Sequence, residues 1–129
     1  MIDEQTEPQG ELTIRTVAMP ADTNPAGDIF GGWVMSQMDI AGSIAAHMRV
    51  QGRVATIAVE AMKFISPVKV GDVLCVYTRV ERVGTTSIVI AMEAWARRHR
   101  LPHRVKVTEA RFIYVAIDDN GNKRAIPPA

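Results

Sequence analysis

A single uninterrupted helical stretch, preceded by a turn-rich loop, constrains this chain more than any other feature. From Gly31 onward no residue breaks a helix until Gly52, so the pattern predicts one long helix. Asp39 lies in its middle, on the shoulder of an apolar arc and among Ala, Gly and Ser neighbours. Small side chains let another backbone approach closely, so we expect a partly desolvated carboxylate at a packed seam. The predicted apolar arc comprises Val34, Met38, Ala41, Ile44, Ala45 and Met48.

The loop before the helix is dense in residues that take special backbone conformations or hydrogen-bond their own main chain. Between Pro20 and Asp28 it holds two prolines, two aspartates, Asn24 and a glycine. In such a cluster an asparagine ordinarily forms an Asx turn. A direct role of Asn24 in chemistry is the alternative, and the loop composition alone leaves both open.

Alternation of apolar and polar residues predicts five strands, one before the helix and four long ones after it. Consecutive strands joined by short turns indicate an antiparallel sheet, and one long helix beside it gives an α+β domain. Strands of about ten residues must curve, so the helix can lie in the concavity. We expect residues 1–10 to be a flexible tail and residues 11–129 a single domain. The predicted strands are Glu11–Val17, Val54–Ile65, Val73–Val80, Ser87–Ala96 and Val105–Ile117.

Composition narrows the possible functions. A net charge of +1 over 129 residues gives no general attraction for nucleic acid or a membrane surface, and no apolar run approaches the roughly 20 residues that span a bilayer. The acidic, polar start lacks the features of a signal peptide, so we expect a cytoplasmic protein. Cys75 is the only cysteine and lies in an alternating run, which favours a buried structural thiol. The three histidines are scattered, so we expect no metal site.

The number of apolar residues predicts self-association. One helix covers only part of a sheet with such long strands, while Val, Ile and Met are abundant throughout them. The remaining apolar surface should be buried against another copy of the chain. We therefore expect a homo-oligomer, at least an obligate dimer.

From the residues alone, few groups could carry chemistry. The sequence has no serine nucleophile elbow, phosphate-binding glycine loop or metal-ligand spacing. Gly31 and Gly32 open the helix, where exposed main-chain N–H groups could stabilise an oxyanion or polarise a carbonyl; tight packing of the helix start is the alternative. Asp is a poor former of helix interiors, so Asp39 is either functional or a surface residue paired with Arg49 or with a partner chain.

The segment Asp22–Gly42, which reads DTNPAGDIFGGWVMSQMDIAG, closely resembles the signature of the hotdog-fold acyl-CoA thioesterases, specifically the bacterial YciA group. The likeness extends over nearly the whole chain from Leu12. It includes Arg53–Asp72, Val83–Ile88 and the Asp118–Pro127 end with its Asn-Gly turn.

The resemblance implies a fold, an assembly and a site. It implies a long helix wrapped by an antiparallel sheet, protomers joined edge to edge, and often trimers of such dimers. It makes Asp39 the catalytic carboxylate, as general base or less favourably as nucleophile, with Asn24 contributed by the facing protomer. The N–H groups of Gly31 and Gly32 would polarise the thioester carbonyl. No cofactor is implied, since coenzyme A belongs to the substrate and the product.

Coenzyme A carries phosphates, which call for cations and hydrogen-bond donors. The basic candidates are Arg97, Arg98, Arg100, Arg104 and Lys106, although a charge run is usually a solvated face. The other candidates are Gly84, Thr85, Thr86 and Ser87, which could equally form only a tight hairpin turn. Candidates for an acyl pocket are Ile29, Phe30, Met35, Met38 and Phe64, which could equally be plain core.

Two rival functions come from other classes. A hotdog dehydratase needs a catalytic histidine paired with a carboxylate, and His47 lies two turns beyond Asp39 on a different face, which disfavours it. A non-catalytic acyl-CoA sensor would keep the pocket without the catalytic pair. The sensor is the stronger of the two rivals.

Overall fold

A computed structural model describes residues 7–98 and 104–129 of the chain. Within these residues one helix and five strands follow in the predicted order, with a 3₁₀ turn at Pro20–Asp22 before the helix. The elements are β1 Glu11–Val17, α1 Gly31–Val50, β2 Val54–Phe64, β3 Val73–Val83, β4 Ser87–Arg97 and β5 Arg104–Ala116. The α+β class, the single long helix and the antiparallel sheet are confirmed, and strand ends differ from prediction by at most three residues.

The five strands form one antiparallel sheet in the order β1-β3-β4-β5-β2. The strands β3, β4 and β5 are successive neighbours, as sequential antiparallel strands usually are. Strand β2 instead crosses to the far edge and pairs only with β5. The helix packs against all five strands, which places the core between α1 and the sheet. This core includes Met38, Leu74, Ile88, Ile90, Phe112 and Tyr114, while Cys75 is buried as predicted.

The buried face of α1 differs from the predicted arc. Its buried residues are Val34, Met38, Ala41, Gly42, Ala46 and Val50. Ile44 and Met48, which the helical wheel assigned to the core, are 40% and 72% exposed in the protomer. Val34, Met38 and Ala41 are buried as predicted. Further along the helix the contact with the sheet passes through Gly42 and Ala46, whose small size allows close approach, and Ile44 and Met48 lie outside it.

Strand β2 is an edge strand with an unusual surface. None of its eleven residues is fully buried in the protomer, and Ile57 and Phe64 are 57% and 54% exposed. Two irregularities in its pairing with β5 fall between Thr56 and Ala58 and between Glu60 and Lys63. Ala61, within the second, has a left-handed backbone with φ 52°. A long edge with apolar side chains is a site at which another chain readily adds.

The predicted flexible tail, residues 1–10, lies only partly in the described chain, because residues 1–6 fall outside it. The Gln9 amide donates to Glu93 Oε1 at 3.3 Å. Gly10 has φ +104°, and a Cβ there would lie 2.6 Å from the Thr78 carbonyl oxygen. Gln9 and Gly10 therefore already lie against the sheet. Within residues 7–98 and 104–129, no helix combines the length and apolar character needed to cross a membrane.

Candidate active site

Asp39 is held by two hydroxyl groups from neighbouring strands. Thr56 donates from Oγ1 to Asp39 Oδ1 at 2.8 Å, and Tyr114 donates from its hydroxyl to the same oxygen at 3.0 Å. Thr56 on β2 and Tyr114 on β5 face each other in the sheet register. Both donors use Oδ1, and among the described residues Oδ2 accepts no hydrogen bond. One carboxylate oxygen is thus fixed while the other remains available to water or substrate.

The tyrosine reaches the helix because residue 42 has no side chain. A Cβ on Gly42 would lie 2.2 Å from the Tyr114 hydroxyl oxygen and 2.7 Å from Met92 Cε, far inside normal contact distances. The same hydroxyl lies 3.1 Å from the Asp39 carbonyl oxygen, so it touches both the main chain and the side chain of this residue. Gly42 therefore creates the space in which Tyr114 orients Asp39.

The environment of Tyr114 keeps its proton in place. Burial raises the pKa of Tyr114 well above the ordinary tyrosine value, and the nearby Asp39 charge and hydrogen bond raise it further. A phenol that stays protonated remains a donor to the carboxylate. The pair is thus a charge-assisted hydrogen bond, which is stronger than one between neutral groups.

The alternative interpretation of Asp39 as a residue paired with Arg49 does not match the contacts within the protomer. Among the described residues Asp39 has no cationic partner, and Arg49 instead donates from Nη1 to the Pro127 carbonyl oxygen at 2.8 Å. Asp39 is only partly buried. Within the protomer the carboxylate is therefore positioned by neutral donors, on a partly buried part of the helix.

Asn24 adopts the turn that its loop composition favours. Its side-chain Oδ1 accepts from the main-chain N–H of Ala26 at 2.9 Å and from that of Asp28 at 3.1 Å. The main-chain N–H of Asn24 donates to the Asp28 carbonyl oxygen at 2.7 Å. This arrangement is an Asx turn. The side-chain amide nitrogen donates to none of the described residues. An Asx turn and a role for that nitrogen are thus compatible.

The two glycines at the start of α1 are both exposed. The preceding Phe30 provides no side-chain cap, and the main-chain N–H groups of Gly31 and Gly32 donate to none of the described residues. A Cβ on Gly31 would lie 3.2 Å from the Phe64 ring, whereas one on Gly32 would meet nothing within 4 Å. Packing within the protomer therefore does not require glycine at position 32. At position 31 it favours glycine only mildly, because the neighbouring Phe64 ring could shift slightly.

A cleft of about 360 Å³ opens beside this helix end. Of the five predicted acyl-pocket residues, Ile29 and Phe64 line it. Met38 lies instead in the fully buried core and Phe30 is 49% exposed, while Met35 is partly buried. Gly31 lines the same cleft, so an apolar wall and the helix N-terminus meet there.

The candidates for coenzyme A binding fall into two groups that one protomer does not bring together. Gly84, Thr85 and Thr86 form the turn before β4, while Arg97 ends β4. An eleven-residue strand is roughly 35 Å long, so the groups lie at opposite ends of the sheet. The turn is close to the Asp39 donors, since Ser87 pairs with Val115, next to Tyr114.

The basic residues differ in how many hydrogen bonds and ion pairs they already form within the protomer. Arg98 donates from Nε to the buried Asp72 at 3.2 Å and also donates to the Pro67 carbonyl oxygen. Arg104 lies 3.4 Å from the Tyr77 hydroxyl. Lys106 is buried and lies 3.4 Å from Glu109, while Arg97 is exposed. Arg100 falls outside the described residues.

Sequence reasoning missed Thr56 and Tyr114. They are 17 and 75 residues from Asp39 in sequence, and both sit in ordinary alternating strands. The only signal was Gly42, a glycine inside a helix where alanine is favoured, which indicates close approach by another element. Among the described residues, no three His, Cys, Asp or Glu side chains cluster as metal ligands would.

The sequence of this chain is similar to one known protein family. The sequence profile of the Thioesterase superfamily matches residues 26–103, a range that contains Gly31, Asp39, Thr56 and all but one of the residues that line the cleft. The chain belongs to the thioesterase superfamily. That range covers more than half of the protein and most of the site just described.

Individual members of the superfamily are also similar over nearly the whole chain. The acyl-CoA thioester hydrolase YciA of Salmonella typhimurium is 56% identical, with 93% of this chain and 92% of that protein covered. The hexameric thioesterase of Yersinia pestis is 53% identical with a TM-score of 0.91, covering 95% of this chain and 100% of that one. A hexameric broad specificity acyl-coenzyme A thioesterase, solved as an aspartate-to-alanine mutant, is 50% identical with a TM-score of 0.89, covering 92% and 88%.

Proposed function

We propose that this protein is an acyl-CoA thioesterase that hydrolyses acyl-CoA to a carboxylate and free coenzyme A. The observation that carries the proposal is the Asp39 carboxylate, with Oδ1 held by Thr56 and Tyr114 and Oδ2 left open. The relatives named acyl-CoA thioester hydrolase support the substrate class.

In the proposed reaction Asp39 acts as a general base. Its open Oδ2 accepts a proton from a water molecule, whose oxygen attacks the thioester carbonyl carbon. The resulting oxyanion is stabilised by main-chain N–H groups at Gly31 and Gly32. The carbon–sulfur bond then breaks, and the coenzyme A thiolate leaves and takes up a proton. Direct attack by Asp39, giving an anhydride that water hydrolyses, is the less favoured variant.

The spacing along α1 supports a site shared by two protomers. Gly31 and Asp39 are eight residues apart, which is about 12 Å of helix axis. The path from a base through water to a carbonyl oxygen spans only about 7 Å. One protomer therefore supplies either the base or the N–H groups for a given thioester. We infer that the facing protomer supplies the other, together with Asn24.

The exposed apolar surface supports the assembly that such sharing needs. Ile44, Met48 and Ile57 are exposed in the protomer, and the outer edge of β2 lacks a strand partner within the described residues. Similar thioesterases of known structure are hexameric. We infer a homo-oligomer in which β2 edges pair, with a trimer of dimers as the complete assembly.

Coenzyme A would contact donors from two places. The Gly84–Ser87 turn lies near the Asp39 donors in the sheet register, whereas exposed Arg97 and partly buried Arg104 lie at the far end of β4. Of the described basic candidates, these two are the least committed to internal ion pairs and are the ones we propose for the phosphates. Arg100 stays a candidate on sequence grounds alone.

Hydrolysis of an acyl-CoA series, followed with a thiol reagent, tests the proposal. Release of free coenzyme A at turnover rates above the uncatalysed reaction is expected with at least some chain lengths. Saturable acyl-CoA binding without release would instead establish the rival, a non-catalytic acyl-CoA sensor.

Mixing two inactive single variants tests the shared site. Asp39→Asn and Asn24→Ala should each lose activity, and their mixture should regain part of it through oligomers with intact composite sites. The matched control mixes Asp39→Asn with itself after the same exchange treatment. No recovery, once subunit exchange has been shown by mass, would contradict the shared site alone.

A further inference from the structure

A segment close to the end of the chain connects the end of α1 to the turn before β4. Residues 124–127, here called the C-terminal arm, pass the end of β5, where the Arg124 N–H donates to the Ala116 carbonyl oxygen at 3.0 Å. Further along the arm, the Ile126 N–H donates to the Thr85 carbonyl oxygen at 2.8 Å. The arm thus binds the turn assigned above to coenzyme A.

Two arginines attach the arm to the end of α1. Arg49 donates from Nη1 to the Pro127 carbonyl oxygen at 2.8 Å. Arg124 donates from Nη2 to the Val50 carbonyl oxygen, also at 2.8 Å, and so binds one of the carbonyls that a helix end leaves without a partner in the helix. A Cβ on Gly52 would overlap this guanidinium, so glycine makes its space. The arm therefore has a fixed place between α1 and the turn.

The turn is held through its carbonyl oxygens, while its donors stay available. Thr85 accepts from Ile126, and the Thr86 carbonyl oxygen accepts from the Ala116 N–H at 2.8 Å. The main-chain N–H groups of both threonines donate to none of the described residues. Thr85 is exposed and Thr86 is partly buried. Donors held in this way suit the phosphate and amide oxygens of coenzyme A.

We infer that the C-terminal arm positions the turn at Thr85 and Thr86 for coenzyme A, with Ile126 and Arg49 as the positioning residues. This inference rests on the proposed thioesterase function and on the assignment of the turn to coenzyme A. A ligand binds more tightly to donors that are already held in place, because ordering them during binding costs free energy. The arm therefore contributes to the affinity for coenzyme A and not to the chemical step at Asp39.

Substitutions in the full chain remove the hydrogen bonds of the arm one at a time. Ile126→Pro removes the N–H that binds Thr85. Pro127 already restricts residue 126 to β or polyproline II conformations, and proline adopts the latter. Arg49→Met removes the bond to Pro127 but keeps an unbranched side chain of good helix propensity. Arg124 is left unchanged, because its loss would also remove a donor from the end of α1.

The test compares the inhibition constant of free coenzyme A with kcat at saturating acyl-CoA. In Ile126→Pro and in Arg49→Met the inhibition constant should rise about threefold to tenfold, which matches the net contribution of one hydrogen bond, while kcat stays within about twofold of the wild type. Ile126→Val keeps the N–H with a side chain of similar size and should restore the wild-type constant. Arg53→Met is the matched control, because Arg53 also donates to a main-chain carbonyl near the chain end, that of Asp119 at 3.1 Å, but not to the arm.

Hydrogen exchange in the wild type tests the same coupling without any substitution. If the arm favours coenzyme A binding, bound coenzyme A must favour the attached arm by the same factor. Saturating free coenzyme A should therefore slow exchange of the Ile126 N–H about threefold to tenfold. The Gly121 N–H, which donates to the Asp118 carbonyl oxygen at 3.0 Å outside the arm, should exchange at an unchanged rate.

The outcomes separate the positioning role from the proposed function. An inhibition constant within about twofold of the wild type in both folded variants, or an unchanged exchange rate of the Ile126 N–H, overturns the positioning role alone. The exchange rate decides if neither variant folds. Failure of the wild type to hydrolyse any acyl-CoA overturns the proposed function itself.

Discussion

Tyr114 donates a hydrogen bond from its buried hydroxyl to Asp39 Oδ1 at 3.0 Å, across 75 residues of sequence. This contact joins the middle of α1 to β5, the strand next to the β2 edge of the sheet. Together with Thr56, it fixes one carboxylate oxygen, while the other accepts no hydrogen bond from the described residues. The orientation of the proposed base is therefore set by the packing of helix against sheet.

Replacing Tyr114 by Phe should lower kcat about tenfold while KM changes little. The ring remains in the core, but Asp39 loses a charge-assisted hydrogen bond, and a bond to a charged group is typically worth about 1.5–3 kcal/mol. Steady-state kinetics with one acyl-CoA measures the split. Tyr77→Phe is the matched control, since the Tyr77 hydroxyl contacts only Arg104, at 3.4 Å, among the described residues. Equal losses in both variants would contradict a positioning role for Tyr114.

Gly42→Ala should destabilise the protein and reduce turnover together. The added methyl group would lie 2.2 Å from the Tyr114 hydroxyl oxygen, so the tyrosine must move away from Asp39. Combining the change with Tyr114→Phe removes the closest clash and should recover part of the lost melting temperature. Gly32→Ala is the stability control, because a Cβ there meets nothing within 4 Å. Additive stability losses in the double variant would argue against this contact.

Tyr114 should not ionise in the native protein near the ordinary tyrosine pKa of about 10. Burial and the Asp39 charge raise its pKa, so the folded state retains a proton that the unfolded state releases. The resulting stability is complete below about pH 10 and is lost as the pH rises above it. Tyrosinate absorbance up to about pH 11 should be the same for native wild type and native Tyr114→Phe. In denaturant the variant should show one tyrosinate and the wild type two, since the chain has two tyrosines.

Arg98 and Arg97 should respond differently to alanine substitution. Arg98→Ala leaves the buried Asp72 without its cation, so the variant should lose about 1–3 kcal/mol of stability. Arg97→Ala, at an exposed position, should keep its stability but weaken inhibition by free coenzyme A, most clearly at low salt. Chemical denaturation and inhibition assays measure these effects. A stable Arg98→Ala with impaired coenzyme A inhibition would reverse the assignment.

The fold could be predicted because its signals are local. The helix from Gly31 and the alternation in β1–β5 depend on nearby residues, and their predicted bounds are nearly those observed. The orientation of the helix could not be predicted in the same way. The helical wheel assigned Ile44 and Met48 to the buried face, whereas in the structure the small residues Gly42 and Ala46 are buried against the sheet.

Candidate site residues could be read from the sequence only where one segment carries them. Asp39, Asn24 and the glycines lie within the loop and helix, and their spacing was readable in the sequence. Thr56 and Tyr114 come to the site through the packing of β2 and β5 against the helix, and the place of Thr56 also depends on β2 crossing to the far edge of the sheet. No local pattern encodes that packing or that crossing, so these two hydroxyls were visible only in the structure.

Turnover of Asp39→Asn is the most direct test of the proposed mechanism. Asparagine keeps the size and shape of the side chain but removes the charge and the basicity that activate water. The account predicts a folded protein of wild-type assembly size whose turnover of acyl-CoA is lower by about a hundredfold to ten-thousandfold. Turnover close to that of the wild type in such a variant would contradict the assignment of Asp39 as the base.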